Sequence, residues 1–142
     1  MPKSILIDLN VLLDVLQARA PHEGASAAIL AAAEQGAIEG WIAAHSVTTL
    51  YYLYAKSHTP AVARRSLVAL LGFLHVAPVD ENVLKQALGL PYDDFEDAVQ
   101  MAAALAIGAA CIVTRNVKDF RLGPLPVHLP EECLPLLRMA PE

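Results

Sequence analysis

Three short stretches of the chain place carboxylate or amide side chains directly beside apolar runs. In chain order these side chains are Asp8, Asp94, Glu96, Asp97, Asn116 and Asp119. Carboxylates that converge repel one another, and burying them together is costly unless protons or a cation compensate the charge. Oxygen ligands of this kind suit Mg²⁺ or Mn²⁺, which can lower the pKa of a water and orient it for attack on a phosphodiester. The residue types therefore predict a divalent-cation site, provided that the fold brings the three stretches together.

Short apolar runs of strand type alternate with longer helical segments along the chain, and this order predicts an α/β fold with a parallel sheet. Strands are predicted at 4–7, 39–43, 74–77, 111–114 and 126–129, and helices at 10–18, 22–35, 46–57, 60–73, 81–88 and 94–107, with a short closing helix from PEECLPLL. Ser46 is expected to cap the third helix. Ligands bind beyond the carboxyl ends of such strands. If the first and fourth strands are neighbours, the three acidic stretches converge at one edge.

Length and composition predict one domain over residues 1–142 with part of its surface covered by another chain. The hydrophobic fraction is 56% and the charged fraction 18%, which favours self-association as a homodimer through apolar helical surface. No apolar stretch reaches the roughly 18 residues that span a bilayer, and no signal segment is evident, so no membrane association and a cytoplasmic location are expected. The net charge of −5 requires a local basic patch or a bridging cation for any polyanionic substrate.

Each acidic stretch also has a purely structural interpretation. Asp8 or Asn10 could cap the helix that follows, because both residue types are favoured at helix N-termini. Asp94 with Asp97, or Asp93 with Glu96, has the spacing of a capping box, and acidic residues in a first turn also complement the helix dipole. Asp119 before an aromatic residue is typical of an ordinary turn. These alternatives stay open for each stretch alone, whereas the coincidence of all three at one predicted edge favours a site.

Three segments together resemble the PIN-domain family, most closely the branch of VapC-type toxins from toxin–antitoxin pairs. They are LIDLNVLLDVL, DFEDAVQMAAAL and IVTRNVKDF, and the resemblance runs from about Ile5 to Val127. It implies a three-layer α/β/α sandwich with a central parallel sheet of four to five strands. It also implies an acidic cluster that holds Mg²⁺ or Mn²⁺, cleavage of RNA, and inhibition by a cognate antitoxin. Asp8, Asp97 and Asn116 match functional positions of the family.

One departure from the family pattern concerns the helix after the second strand. Similar toxins have a Glu three residues after a Thr, whereas SVTTLYYL has Tyr52 at that position. A phenol ligates Mg²⁺ poorly at neutral pH because its pKa is near 10. Asp94 and Glu96 are predicted to substitute for the missing acid.

The predicted site combines catalytic, metal-binding and substrate-binding residues. We expect Asp8, Asp97, Asn116, Glu96 and Asp94 to act in catalysis, Asp8, Asp97 and Asp119 to bind metal, and Asn10, Thr114, Arg115 and Lys118 to contact the substrate. The main alternative is a non-catalytic PIN-like module that binds RNA or protein. A phosphatase with Asp8 as nucleophile is a weaker third hypothesis, because Asn10 stands where a general acid would be needed.

Overall fold

A central sheet with helices on both sides forms the computed structural model, which describes residues 2–120 and 123–139. The elements in chain order are β1 (Lys3–Ile7), α1 (Leu9–Leu16), α2 (Glu23–Glu34), β2 (Ile38–Ala43), α3 (Ala44–Ala55), α4 (Pro60–Leu71), β3 (His75–Ala77), α5 (Glu81–Leu88), α6 (Phe95–Ala106), β4 (Cys111–Val113), α7 (Val117–Phe120), β5 (Val127–His128) and α8 (Pro130–Met139). No helix in these described ranges is long and apolar enough to span a membrane.

The sheet has five parallel strands in the order β3-β2-β1-β4-β5. The strand β1 lies at the centre of the sheet, with β2 and β3 on one side and β4 and β5 on the other. The predicted adjacency of the first and fourth strands is therefore confirmed. Ile7 pairs with Val113, so Asp8 and Thr114 are the next residues at the carboxyl ends of neighbouring strands. This is the topological switch point at which open α/β sheets bind ligands.

Alternating side chains of the central strands enter two separate cores, which makes the fold the predicted three-layer sandwich. Ile5 and Ile7 of β1 pack with residues of α1, α2, α3, α4 and α8. Leu6, between them in sequence, packs on the opposite face with α5, α6 and α7. Four alanines of α6 are almost completely buried and allow this helix to lie close to the sheet, namely Ala98, Ala102, Ala103 and Ala104. The first turn of α6 is thereby held at the edge where β1 and β4 end.

The predicted element boundaries differ from the structure in two informative places. Ser46 was expected to cap the third helix, and this prediction is wrong. The helix α3 follows β2 without a loop, Ala43 occupies the N-cap position, and Ser46 lies buried inside the first turn. The single turn α7 was not predicted, because four residues are too few to show a helical period.

A buried ion pair joins α1 to the turn after β4. The Asp14 side chain is completely buried and accepts a hydrogen bond from the Ser26 hydroxyl at 3.2 Å. The Nε atom of Arg115 lies 2.8 Å from Oδ2 of Asp14, and the Arg115 side chain is 24% exposed. This pair holds the segment that leads from Thr114 to Asn116 against the α1 helix.

We predict that Arg115→Met lowers the free energy of unfolding by roughly 3 kcal/mol, because it leaves the Asp14 charge buried without a partner. Urea denaturation followed by circular dichroism measures this change. Arg65→Met, which removes an exposed arginine, is the control and should change stability by less than about 0.5 kcal/mol. The double variant Asp14→Asn with Arg115→Met should recover part of the loss. Equal stabilities of the Arg115 and Arg65 variants would show that the ion pair does not support the fold.

Candidate active site

Asp8 is the buried centre of the carboxyl edge of the sheet. It lies directly after β1 and is only 4% exposed. Although it occupies the N-cap position of α1, its side chain makes no capping hydrogen bond. Instead, Oδ1 accepts a hydrogen bond from Nε2 of Gln100 at 3.0 Å, and Oδ2 accepts one from the Thr114 hydroxyl at 2.9 Å. The side-chain capping interpretation of Asp8 is therefore wrong, and the carboxylate is directed between β4 and α6.

Thr114 connects Asp8 to the turn that carries Asn116. Its hydroxyl oxygen accepts a hydrogen bond from the Asn116 backbone N–H at 3.1 Å and donates its own proton to Asp8. Because the hydroxyl has only one proton, these two bonds fix its direction. The predicted substrate residue Thr114 is completely buried, whereas the Asn116 side chain is exposed at the rim. Asn10 is half-buried, with its amide nitrogen 3.5 Å from Oδ2 of Asp8.

Gln100 is a member of this edge that the sequence analysis missed. It lies on α6 one turn after Asp97, so the two side chains share a face of the helix. Gln100 is buried, and its Oε1 atom has no hydrogen-bond partner among the described residues. The sequence does contain one indication of this role, because Gln100 is the single polar residue in the apolar stretch AVQMAAAL. Buried polar groups are rare unless they are hydrogen-bonded or have a function.

The acidic residues at the start of α6 have different environments. Asp94 is the N-cap residue, and its carboxylate accepts a hydrogen bond from the Asp97 backbone N–H at 3.2 Å, so this capping interpretation is confirmed. Asp97 is half-buried, and its charge raises the pKa of Tyr92 together with the larger effect of burial. Glu96 is exposed and faces His45 in the first turn of α3. Burial lowers the pKa of His45, and the Glu96 charge opposes this shift.

The predicted three-acid cluster is not assembled by the described side chains. Within the described part of the chain, no three His, Cys, Asp or Glu side chains form a group that could hold a metal ion. Neither Asp94 nor Glu96 therefore completes such a group with Asp8 and Asp97. The side chain of Asp119, the third predicted metal ligand, lies outside the described residues. Arg115 is engaged with Asp14, and Lys118 is exposed on α7.

Comparison with solved structures gives the same fold at low sequence identity. A toxin–antitoxin complex from Klebsiella pneumoniae matches with a TM-score of 0.68 and 21% identity, covering 89% of this chain and 97% of the other. VapBC2 from Rickettsia felis, bound to a fragment of its promoter DNA, matches with a TM-score of 0.64 and 17% identity over 87% and 96% of the two chains.

A third solved structure is VapC20 from Mycobacterium tuberculosis, a toxin that cleaves the sarcin–ricin loop. It matches with a TM-score of 0.62 and 15% identity over 76% of this chain and 86% of the other. No curated protein sequence matches this chain. The family model described as the PIN domain matches residues 4–118, which include most of β1, all of α6 and β4, and the side chains that contact the Asp8 carboxylate. The chain therefore belongs to the PIN-domain family.

Proposed function

We propose that this PIN domain is a divalent-cation-dependent endoribonuclease and the toxin of a toxin–antitoxin pair. The observation that carries the proposal is the buried Asp8 carboxylate, which hydrogen bonds from Gln100 and Thr114 orient at the switch point of the sheet. A chain whose net charge is −5 has little reason to bury an acidic group there for stability alone. The toxin–antitoxin proteins with the same fold support the same interpretation.

The donor set around Asp8 fits Mg²⁺ or Mn²⁺. Next to the carboxylate lies the Gln100 Oε1 atom, a buried oxygen with no hydrogen-bond donor in the described part of the chain, and Asp97 precedes Gln100 by one turn. Hard oxygen ligands with few carboxylates and several waters are the usual surroundings of Mg²⁺ in enzymes. We infer that Asp8 and Asp97 would hold the ion, with Asp119 as a further predicted ligand. The ion would lower the pKa of the attacking water and neutralise phosphate charge.

The residues of the chain would then orient and neutralise the RNA backbone. Thr114 and Gln100 hold the Asp8 carboxylate in place and offset its desolvation. Asn116 and Lys118 are exposed beside this edge and would contact phosphate or ribose. The Arg115 Nε atom is buried against Asp14 in the ion pair, so the N–H donors on the other two guanidinium nitrogens would contact substrate. Glu96 beside His45, and Asp94 at the helix start, would line the opposite rim.

A second candidate function is a PIN-like module that binds RNA or protein without cleavage. It is favoured by the absence of a three-acid group among the described side chains. It is also favoured by Tyr52, which is 63% exposed with the Lys56 ammonium 4.9 Å from its ring centre and so cannot replace a buried acid. Binding of RNA without cleavage in the presence of Mn²⁺ would support this alternative.

The α3–α4 face supports an acidic antitoxin segment as partner. A groove of about 370 Å³ lies between these helices and is lined mainly by apolar side chains, including Tyr51, Leu67 and Val68. The guanidinium of Arg64 lies 5.8 Å from the centre of the Tyr51 ring. None of the fifteen acidic residues falls between Glu39 and Asp80, while Lys56, Arg64 and Arg65 do. Two such cationic faces would repel each other, so this face favours an acidic amphipathic partner over a second copy.

We propose self-association through α5 instead. Leu84 and Leu88 lie one turn apart on this helix and are 40% and 73% exposed. The adjacent Glu81–Lys85 ion pair is neutral overall, so two copies can approach without net repulsion. Closed two-fold symmetry is the commonest way to cover such a patch.

The proposed nuclease should cleave single-stranded or loop-containing RNA with Mg²⁺ or Mn²⁺ and not with EDTA. Asp8→Asn and Asp97→Asn should each reduce the rate by roughly 10²- to 10³-fold, because each removes charge from the reacting centre. Asp8→Asn should stay folded, since the Gln100 amide can turn its unpaired Oε1 towards the new N–H donor. Initial rates on a labelled RNA pool, with circular dichroism of each variant, measure both effects.

Asp80→Asn is the matched control for these substitutions. Asp80 caps α5 by accepting a 2.9 Å hydrogen bond from the Val83 backbone N–H, and it is not among the predicted site residues. This variant should lose about 1 kcal/mol of stability or less and keep full activity. If the wild-type chain cleaves no RNA, or if Asp8→Asn cleaves as fast as Asp80→Asn, the nuclease proposal is wrong.

Substitutions of two equally exposed residues distinguish the proposed antitoxin surface from the proposed dimer surface. Val68 on α4 and Leu88 on α5 are each 73% exposed. Light scattering at micromolar concentration should give twice the chain mass of 15.2 kDa, and Leu88→Glu should reduce it to the monomer mass. Val68→Glu should remain a dimer but lose binding to the product of an adjacent antitoxin-like gene. A monomeric wild-type chain, or a Val68→Glu variant that alone loses the dimer, would contradict this assignment.

A further inference from the structure

Two cysteines from different elements line one cavity at the end of β1 and β4 opposite to Asp8. Cys111 begins β4 and Cys133 lies in α8. Both are free and buried in the same hydrophobic core. The cavity measures about 180 Å³ and is also lined by Lys3, His128 and Leu136. Lys3 and Leu136 are exposed, so the cavity reaches the surface beside a cationic side chain.

The two thiols interact and differ in acidity as a result. The interaction between the two thiols lowers the pKa of Cys133 and raises the pKa of Cys111, and burial raises the pKa of both. The Lys3 ammonium acts in the opposite direction to burial and favours the ionised form of each. Cys133 is therefore the thiol that ionises more readily, and its neighbour retains the proton. The thiolate is the nucleophile in cysteine oxidation, so the pair has an attacking and a resolving member.

We propose that Cys111 and Cys133 form a redox-active pair, which hydrogen peroxide converts to an intramolecular disulfide. The positions of the two side chains on one cavity wall carry this proposal, together with the size of the cavity. A water molecule takes up about 30 Å³ in the liquid, so a peroxide of roughly twice that volume fits within the cavity. Among the described residues, the two cysteines form no metal-binding group with a third His, Cys, Asp or Glu side chain. Structural zinc sites have four such ligands, so thiol chemistry is favoured over zinc binding.

The oxidation proceeds in two balanced steps. Cys133 first loses its thiol proton. The thiolate then attacks one peroxide oxygen, the O–O bond breaks, and the departing hydroxide takes up the proton that Cys133 released and forms water. This leaves Cys133 as a sulfenic acid. The Cys111 sulfur then attacks the Cys133 sulfur, the S–O bond breaks, and a second water leaves with the Cys111 proton. In total the two thiols lose two electrons, and one peroxide is reduced to two waters.

The disulfide would enclose residues 111–133, which include Thr114, Asn116 and α7. It would tie α8, which otherwise packs on α2 and β5, directly to the strand that leads to the candidate active site. A loop of this length should raise the melting temperature of the oxidised chain by roughly 10 °C, because the cross-link restricts the unfolded state.

Peroxide treatment of the full chain, followed by mass spectrometry under non-reducing conditions, tests the proposal. The expected product is a monomer chain lighter by two hydrogens, with no thiol titratable after denaturation and full recovery by dithiothreitol. Tryptic mapping should join the peptides that contain Cys111 and Cys133. Cys111→Ser should stop at a Cys133 sulfenic acid that dimedone captures, and Cys133→Ser should yield no such adduct.

Two results with the wild-type chain alone would overturn the inference. One is a wild-type chain that keeps both thiols after peroxide treatment. The other is a cross-link found only between chains, which reversible dimers in non-reducing gels would reveal. A dimedone adduct on Cys111 in the Cys133→Ser variant would reverse the assigned roles and contradict the attacking role of Cys133.

Discussion

The need to compensate one buried carboxylate organises the carboxyl edge of the sheet. Asp8 is almost completely buried, and donors from Thr114 just after β4, Gln100 of α6 and Asn10 of α1 point at its carboxylate. Hydrogen bonds to a charged group contribute roughly 1.5–3 kcal/mol each, so they offset much of the desolvation. Because Asp8, Thr114 and Gln100 are far apart in sequence, the β1–β4 pairing and the close packing of α6 are both required. The same packing places Asp97 and Asn116 beside the edge.

Much of this architecture was predictable because local patterns and global topology agree. Continuous apolar runs mark the central strands, which are buried on both faces, and the alanine-rich pattern of α6 marks a helix that lies against a sheet. The order of elements favoured a parallel sheet but left several strand orders open, so the adjacency of β1 and β4 was a prediction that depended on the acidic stretches. The position of Asp8 at the carboxyl end of the first strand was predictable from the apolar run that precedes it.

The contacts that were not predictable depend on side-chain direction. Nothing local in VTRNVKDF indicates that Arg115 turns inward to the buried Asp14, because that pair spans about a hundred residues. The contact of Gln100 with Asp8 was also not predicted, because a single glutamine in a helix is more often exposed than buried. Ser46 was predicted as the N-cap of α3 because Ser is favoured at this position. In the structure α3 follows β2 directly, so Ala43 is the N-cap residue and Ser46 lies inside the first turn. Tertiary packing overrides local preference at each of these positions.

Titration of Mn²⁺ into the chain by isothermal calorimetry tests most directly whether the Asp8 edge is a cation site. The wild-type chain should bind Mn²⁺, Asp8→Asn should abolish binding, and Gln100→Leu should weaken it by about 10- to 100-fold through loss of the group that orients Asp8. Asp80→Asn should bind as the wild-type chain does. Absence of binding by the wild-type chain, or equal affinities for the Asp8 and Asp80 variants, would contradict a metal-dependent role for Asp8.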